Sequence, residues 1–250
     1  MPIRVAHFGL LAAMLGSATP GCSDSTALTA ADAGATSDAP ASDAGGVSSA
    51  MTFFVTSRGK GSGGDLGGLD GADAFCRSLA TGVSASLGAK TWRAYLSTST
   101  VNARDRIGPG PWRNAAGVTI ATSVEQLHDQ GTNGTLNSTW PIGDGSVVLD
   151  EQGAPVPLAP QQSLVHDILT GTMGGGTVAA GLTCADWTSS MPTDTAEIGH
   201  SNRMGLAGQD PSWSSVHTVG CAQPTAGANF MSMTVSQGGG RGSIYCFALP

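Results

Sequence analysis

The chain has 250 residues, of which 18 are acidic and 11 are basic, so its net charge at pH 7 is −7. This acidic balance does not favour a nucleic-acid partner, because such binding needs a clustered basic face. The chain contains 37 glycines and little lysine or glutamate, a composition that favours short strands and long loops over long helices.

Residues 1–22 have the pattern of a lipoprotein signal peptide. Arg4 precedes an apolar run from Phe8 to Leu15, and small residues lead up to Cys22. The apolar run is too short to span a bilayer in the mature protein. We predict that Cys22 is lipidated and anchors the mature chain to a membrane surface, with ordinary cleavage nearby as the alternative.

Residues 23–50 consist almost entirely of Ala, Ser, Thr, Asp and Gly. Such a segment cannot bury enough apolar surface to offset its ordering entropy, so we predict a disordered tether. Residues 51–250 are long enough for one hydrophobic core and contain no second linker. The sequence therefore predicts a single folded domain over this range.

The first elements of this domain are predicted to be a strand and a helix. The run from Thr52 to Thr56 is aromatic and β-branched and is followed by a glycine-rich turn, as is typical of a strand. Asp70 is predicted as the N-cap of the helix, with Asp73 in its first turn, and the helix is expected to end near Thr81. Its apolar residues recur at helical spacing and predict one buried face: Phe75, Cys76, Leu79 and Ala80.

A second strand is predicted from Trp92 to Ser97. Trp92, Ala94 and Leu96 alternate with more polar residues, which is the period of a strand. The chain has four cysteines after residue 50, and an even number in an exported protein indicates two disulfides. These cysteines are Cys76, Cys184, Cys221 and Cys246. The residues alone do not indicate which of them pair with each other.

An ordered set of motifs resembles a known family. The run G-G-L-D-G-A-D-A-F-C, followed by W-R-A-Y-L-S, resembles the start of the collagen endostatin domain. It is more similar still to a bacterial family of endostatin-like surface lipoproteins of uncharacterised function. Further matches follow in the same order along the chain: A-R-D-R-I at 103–107, L-T-G-T at 169–172, C-A-D-W-T at 184–188 and I-Y-C-F at 244–247.

This resemblance implies an α+β, C-type-lectin-like fold with antiparallel strands, short helices, long loops and neighbouring termini. It also implies the nested disulfides Cys76–Cys246 and Cys184–Cys221. The implied function is that of a non-enzymatic lipoprotein at the cell surface or outer membrane, which binds an extracellular matrix-type protein or a glycan. A calcium-dependent carbohydrate-binding module, or an enzyme built on the same fold, is the alternative.

No catalytic constellation is complete in the sequence. The segment Gly199-His200-Ser201-Asn202-Arg203 approaches a nucleophile elbow but lacks the second glycine. The histidines His128, His166, His200 and His217 occur at no spacing used by zinc sites. The zinc-binding histidines near the start of vertebrate endostatin domains have no counterpart here. We therefore assign no metal ligands from the sequence.

Calcium is weighed separately because many C-type lectins hold sugars through it. Calcium needs six to eight oxygen ligands, and the tripeptides E-P-N and Q-P-D of sugar-binding members are missing. No cofactor is therefore expected. The acidic residues that could contribute are Asp144, Asp150, Glu151, Asp186, Asp194, Glu197 and Asp210.

Two segments are candidate ligand-binding surfaces. Arg104, Trp112 and Arg113 form a local basic and aromatic patch, and these residue types often anchor protein interfaces. In the alternative structural interpretation, Asp105 pairs with an arginine and Trp112 covers the core.

The second candidate surface lies in the loop from Asp194 to Val219, where Trp213 is expected to be exposed. This loop also contains His200, Arg203 and His217. A loop that is simply held in place by the second disulfide is the structural alternative.

Overall fold

The computed structural model describes residues 46–128, 142, 147–156, 166–202, 212–223 and 240–250. The predicted signal peptide, Cys22, residues 23–45 of the predicted tether, Asp144, Arg203 and Asp210 lie outside these ranges. Residues 46–50 were predicted to belong to the disordered tether, and this is wrong. The Ser48 amide donates to the Ala115 carbonyl at 2.8 Å, and Val47 packs against the core.

The described residues form an α+β structure with mostly antiparallel strands. The strands are β1 (Phe53–Val55), β2 (Trp92–Ala94), β3 (Trp112–Arg113), β4 (Thr119–Ala121), β5 (Asp167–Leu169), β6 (Thr195–His200), β7 (His217–Gly220) and β8 (Gly240–Ala248). The α-helices are α1 (Gly68–Val83), α2 (Ala85–Gly88) and α3 (Val124–His128), with a 3-10 turn at Ala103–Asp105 and a further helical turn at Cys184–Trp187.

The long strand β8 lies at the centre of the main sheet. It pairs antiparallel with β1 and β2 and parallel with β5, and the sheet continues from β5 to β6 and β7 in antiparallel fashion. β3 and β4 form a separate two-stranded pair. Because β1 and β8 are neighbours, the start and the end of the domain meet in the sheet.

The two faces of this sheet carry different cores because successive strand residues point to opposite sides. Phe54 and Cys246 belong to the cluster that includes α1, whereas Phe53, Tyr245 and Phe247 belong to an aromatic cluster on the other face. Cys246 therefore faces α1, where Cys76 lies on the buried side of the helix.

The disulfides are Cys76–Cys246 and Cys184–Cys221, with Cα–Cα distances of 5.7 Å in both. The nested pairing implied by the family resemblance is confirmed. Disulfides of this kind are consistent with an extracellular location. Among the described residues, no helix is both long and apolar enough to cross a membrane.

Helix α1 confirms the predicted buried face but not the predicted cap. Gly67, in the left-handed conformation with φ 73°, occupies the N-cap, and Asp70 lies in the first turn. Glycine suits this left-handed N-cap position because other residues have a steric penalty at positive φ. Glycine offers no side-chain acceptor to the helix. The helix extends to Val83, slightly beyond the predicted end near Thr81.

Asp73 on α1 anchors strand β2. Its carboxylate accepts hydrogen bonds from the Ala94 amide at 2.8 Å and from Arg106 Nη2 at 2.9 Å, and it pairs with Arg93 at 2.6 Å. The expected pairing of Asp105 with an arginine is therefore wrong, because Arg106 turns to Asp73 and Asp105 accepts from Asn102 Nδ2. This ion-pair network fixes the helix against the sheet.

The turn Cys184–Trp187 is left-handed, with φ between 49° and 66° at all of its residues. Asp186 holds it in place by accepting from the Ser99 amide at 2.7 Å and from the Ser99 hydroxyl at 2.6 Å. Trp187 is fully buried and donates to the Ser97 carbonyl at 2.7 Å. Both side chains therefore have local structural roles.

Candidate functional site

Three neighbouring strands bring histidines and an aspartate to one face at the end of the main sheet. Asp167 on β5 lies directly opposite His200 on β6. His217 on β7 lies opposite Ile198, two residues before His200 on the same face of β6. Residues that are directly or diagonally opposite on one face are within side-chain reach. The register of the strands thus places Asp167, His200 and His217 together.

Gly199 allows β6 to approach the neighbouring segment closely. A Cβ atom at this position would overlap the carbonyl oxygen of Trp213, and the next residue, His200, donates its amide to the Ser212 carbonyl at 3.1 Å. Glycine is therefore required beside His200 for the segment before β7 to pack here.

The centre of the group is the buried carboxylate of Asp167. Its Oδ1 lies 3.2 Å from His166 Nε2 and 3.1 Å from His200 Nε2, and its side chain is only 2% exposed. Among the described residues, neither carboxylate oxygen accepts a hydrogen bond of acceptable geometry. Two imidazole nitrogens thus converge on one carboxylate oxygen, an arrangement that suits atoms surrounding a shared cation.

His217 adjoins this group from the edge of the sheet. Its Nε2 lies 3.2 Å from His200 Nε2 and 3.8 Å from Asp167 Oδ2. The rings of His166 and His200 are stacked, with centroids 4.1 Å apart. All three imidazoles therefore direct Nε2 toward the same small volume beside Asp167.

A second layer of contacts orients His166. Its Nδ1 lies 3.2 Å from Asn202 Oδ1, and its carbonyl accepts from the Ser201 amide at 2.9 Å. Because an amide oxygen only accepts, this contact places a ring proton on Nδ1, so that Nε2 is the nitrogen directed at Asp167 and at a metal ion. Metal-binding histidines are commonly oriented in this way by an outer hydrogen bond.

The electrostatics keep Asp167 ionised. Burial by itself raises the pKa of the Asp167 carboxyl, but the neighbouring imidazoles of His166 and His200 outweigh it and hold the pKa below its ordinary value. At neutral pH the group thus presents one buried negative charge beside three imidazole rings.

This set of donor atoms matches the preferences of a divalent transition metal. His166, Asp167 and His200 each offer one ligand atom, and these atoms lie within 4.8 Å of one another. Zinc binds imidazole nitrogen and carboxylate oxygen at about 2.0–2.2 Å, so ligand atoms of a tetrahedral site lie about 3.3 Å apart. The observed separations of 3.1 and 3.2 Å at Asp167 Oδ1 are close to this spacing.

The structure separates the residues of the predicted basic and aromatic patch. Trp112 is fully buried in the aromatic core, which confirms the structural alternative for this residue. Arg104 donates to the Gly175 carbonyl at 3.0 Å, and Arg113 donates to the Gly117 carbonyl at 3.1 Å. The two arginines hold different loops and share no surface with an exposed tryptophan.

The second predicted surface does not contain an exposed tryptophan. Trp213 is fully buried and donates to the Leu127 carbonyl at 3.0 Å, so its expected exposure is wrong. His200 and His217 do come together, although as members of the cluster around Asp167. His166 and Asp167 were not singled out from the sequence. Their adjacency, just before an apolar run, was the local signal available.

The described carboxylates that were considered for calcium each have a local role. Asp150 accepts from the amides of Gln152 and Ala154 at 2.9 Å, and Glu151 accepts from the amide and hydroxyl of Ser57. Asp194 accepts from the Ser189 hydroxyl, and Glu197 accepts from Ser215 at 2.9 Å.

His128 lies apart from the cluster around Asp167. Its ring is buried between the Tyr95 hydroxyl at 2.7 Å and the Val124 carbonyl at 2.7 Å, and burial lowers its pKa from 6.5 to about 4. Below pH 6.5 His128 binds a proton in the unfolded chain but stays neutral in the folded protein, so the free energy of unfolding decreases as the pH falls. Between pH 7.5 and pH 5 we expect His128 to lower the free energy of unfolding by about 2 kcal/mol.

Urea unfolding in EDTA at both pH values measures the free energy of unfolding of the wild type and of His128→Gln. This variant retains hydrogen-bonding groups but does not titrate. The loss of stability between pH 7.5 and pH 5 should be about 2 kcal/mol larger in the wild type than in the variant. Equal losses in the two proteins would contradict the assigned role of His128.

In comparisons with known proteins, no protein-family model matches this chain, and no curated protein sequence matches it.

Proposed function

We propose that this protein is an exported, non-enzymatic binding domain that holds one divalent transition-metal ion, with zinc preferred, through His166, Asp167 and His200. The observation that carries the proposal is the buried Asp167 carboxylate, which has two imidazole Nε2 atoms at 3.1 and 3.2 Å.

A bound cation accounts for features that are otherwise costly. A buried carboxylate without well-formed hydrogen bonds is strongly unfavourable unless a cation compensates it. Imidazole nitrogen together with carboxylate oxygen suits zinc and its first-row neighbours better than calcium, which requires more oxygen ligands than this group offers. The outer contact between His166 and Asn202 fits the same interpretation.

The proposal also places the protein at the cell envelope. It includes lipidation at Cys22 and the tether that follows it. The C-type-lectin-like head presents its bound ion to an extracellular protein or glycan partner. The two disulfides and the pairing of the first strand with the last support this arrangement. The ion, rather than the patch around Arg104, is assigned as the primary ligand of the head.

Elemental analysis tests the proposal directly. The purified, disulfide-intact protein is dialysed against zinc in the presence of excess calcium, and the metal content is measured per chain. We expect one zinc ion per chain, removable by EDTA, and no retained calcium. Folded protein that retains no zinc would overturn the proposal, and calcium retained in place of zinc would favour a calcium-dependent module instead.

A further inference from the structure

His217 differs from the three ligands of the proposed centre in its position within the fold. It lies on β7, which in the described part of the sheet pairs with β6 alone. Its side chain is 28% exposed, whereas those of His166, His200 and Asp167 are 10%, 6% and 2% exposed. His217 is therefore the member of the group that faces solvent.

The distances nevertheless place His217 within coordinating range. Its Nε2 is 3.2 Å from His200 Nε2, close to the separation of about 3.3 Å between ligands of a tetrahedral zinc ion. Two imidazole nitrogens at this distance repel each other unless a proton or a cation lies between their lone pairs. The 3.8 Å separation from Asp167 Oδ2 leaves His217 slightly farther from the carboxylate than the other two histidines.

The outer contacts of His217 are also looser. His166 Nδ1 is oriented by Asn202 at 3.2 Å, whereas the contact from His217 Nδ1 to the Thr218 carbonyl is 3.4 Å. A histidine with a long outer contact on an edge strand can turn away at lower cost than one that is buried and oriented by a second side chain.

We propose that His217 is the fourth ligand of the metal ion and that the ion enters and leaves on the side that His217 covers. This inference rests on the proposed metal-binding function and adds its coordination number and exchange path. Three buried ligands hold the ion, and the exposed fourth ligand closes the tetrahedron after the ion has entered.

Cobalt(II) provides the test because its visible absorption reports coordination number. The wild-type protein titrated with Co²⁺ should show the intense visible bands of a four-coordinate site. His217→Ala should bind Co²⁺ about 10–100-fold more weakly, with weaker bands, because water expands the coordination sphere. Added imidazole should restore the intense spectrum in the variant and leave the wild-type spectrum unchanged.

The rate at which Co²⁺ is released to excess EDTA tests whether His217 controls exchange of the ion. Because affinity changes at one site act mainly through dissociation, His217→Ala should release the ion faster by about the same 10–100-fold. Thr218→Ala is the matched control: Thr218 is the next residue on β7 and bonds to Glu197 at 3.4 Å. It should leave the spectrum and the release rate unchanged.

The outcomes separate the two proposals. A wild-type protein that is folded by circular dichroism and binds neither Co²⁺ nor zinc would overturn the proposed function itself. A wild-type protein that binds Co²⁺, with His217→Ala matching it in spectrum, affinity and release rate, would overturn the role of His217 and leave a three-ligand centre. Complete loss of Co²⁺ binding in a folded His217→Ala protein would support the fourth ligand.

Discussion

Replacing Asp167 by asparagine should remove most of the stabilisation by zinc while leaving the metal-free protein about as stable as the wild type. At a free zinc concentration about 100 times the dissociation constant, a bound ion stabilises the folded state by about 2.7 kcal/mol. For a domain of this size, that corresponds to an increase in melting temperature of about 5–10 °C. Asp167→Asn removes the one anionic group among the proposed ligands, and the loss of affinity should be at least about 100-fold, beyond the range found for outer contacts.

The stability of the metal-free protein distinguishes this role from a structural one. If Asp167 served as a hydrogen-bond acceptor for the histidines, asparagine should destabilise the protein in EDTA by about 1.5–3 kcal/mol. If it is mainly a metal ligand, its buried charge is uncompensated in EDTA, so Asp167→Asn should be neutral or stabilising there. Thermal unfolding with zinc and with EDTA measures both quantities.

Asp70→Asn is the matched control for this experiment. Asp70 is an exposed carboxylate on α1, and its replacement should preserve the full zinc-dependent increase in melting temperature. An equal zinc-dependent increase in Asp167→Asn would rule out Asp167 as a ligand.

The second large effect is expected from the disulfides. Cys76 and Cys246 are separated by 170 residues in sequence, against 37 for Cys184 and Cys221. On the chain-entropy account, a disulfide that closes a longer loop restricts the unfolded state more, which gives about 5 kcal/mol for the first disulfide and about 4 kcal/mol for the second. Cys76→Ala with Cys246→Ala should therefore cost about 1 kcal/mol more than the other double variant.

Denaturant unfolding of the two double variants in EDTA tests this order. All four cysteines are fully buried, so the packing changes are comparable and the difference reports mainly loop length. If the longer-loop variant does not fold at 25 °C, melting temperatures measured from a lower starting temperature still rank the two. A more stable Cys76–Cys246 variant would show that native-state contacts around Cys184 outweigh loop entropy.

Local elements of this domain could be predicted because their signals lie within a few residues. The apolar spacing of Phe75, Cys76 and Leu79 predicted the buried face of α1, and the alternation at Trp92 and Ala94 predicted β2. The cap of α1 was missed because a left-handed glycine can replace a side-chain acceptor. A neighbouring aspartate is then free to interact with the helix dipole from the first turn.

The exposure of the aromatic residues could not be predicted in the same way. Trp213 lies in a polar segment, yet it packs against Tyr95 and Tyr245, with ring centroids 4.6 and 5.2 Å away. Nothing within a few residues of Trp213 encodes these partners. Burial of a loop residue depends on which distant elements cover it.

The sequence by itself determined the number of disulfides and, through the family resemblance, their pairing and the α+β character of the fold. Only the tertiary structure decided the candidate site. His166, Asp167, His200 and His217 are separated by up to about 50 positions in the chain, and they meet because the pairing of β5, β6 and β7 sets their register. A one-residue shift in either pairing would send a ligand to the opposite face, and such non-local register is not encoded in the spacing of the histidines.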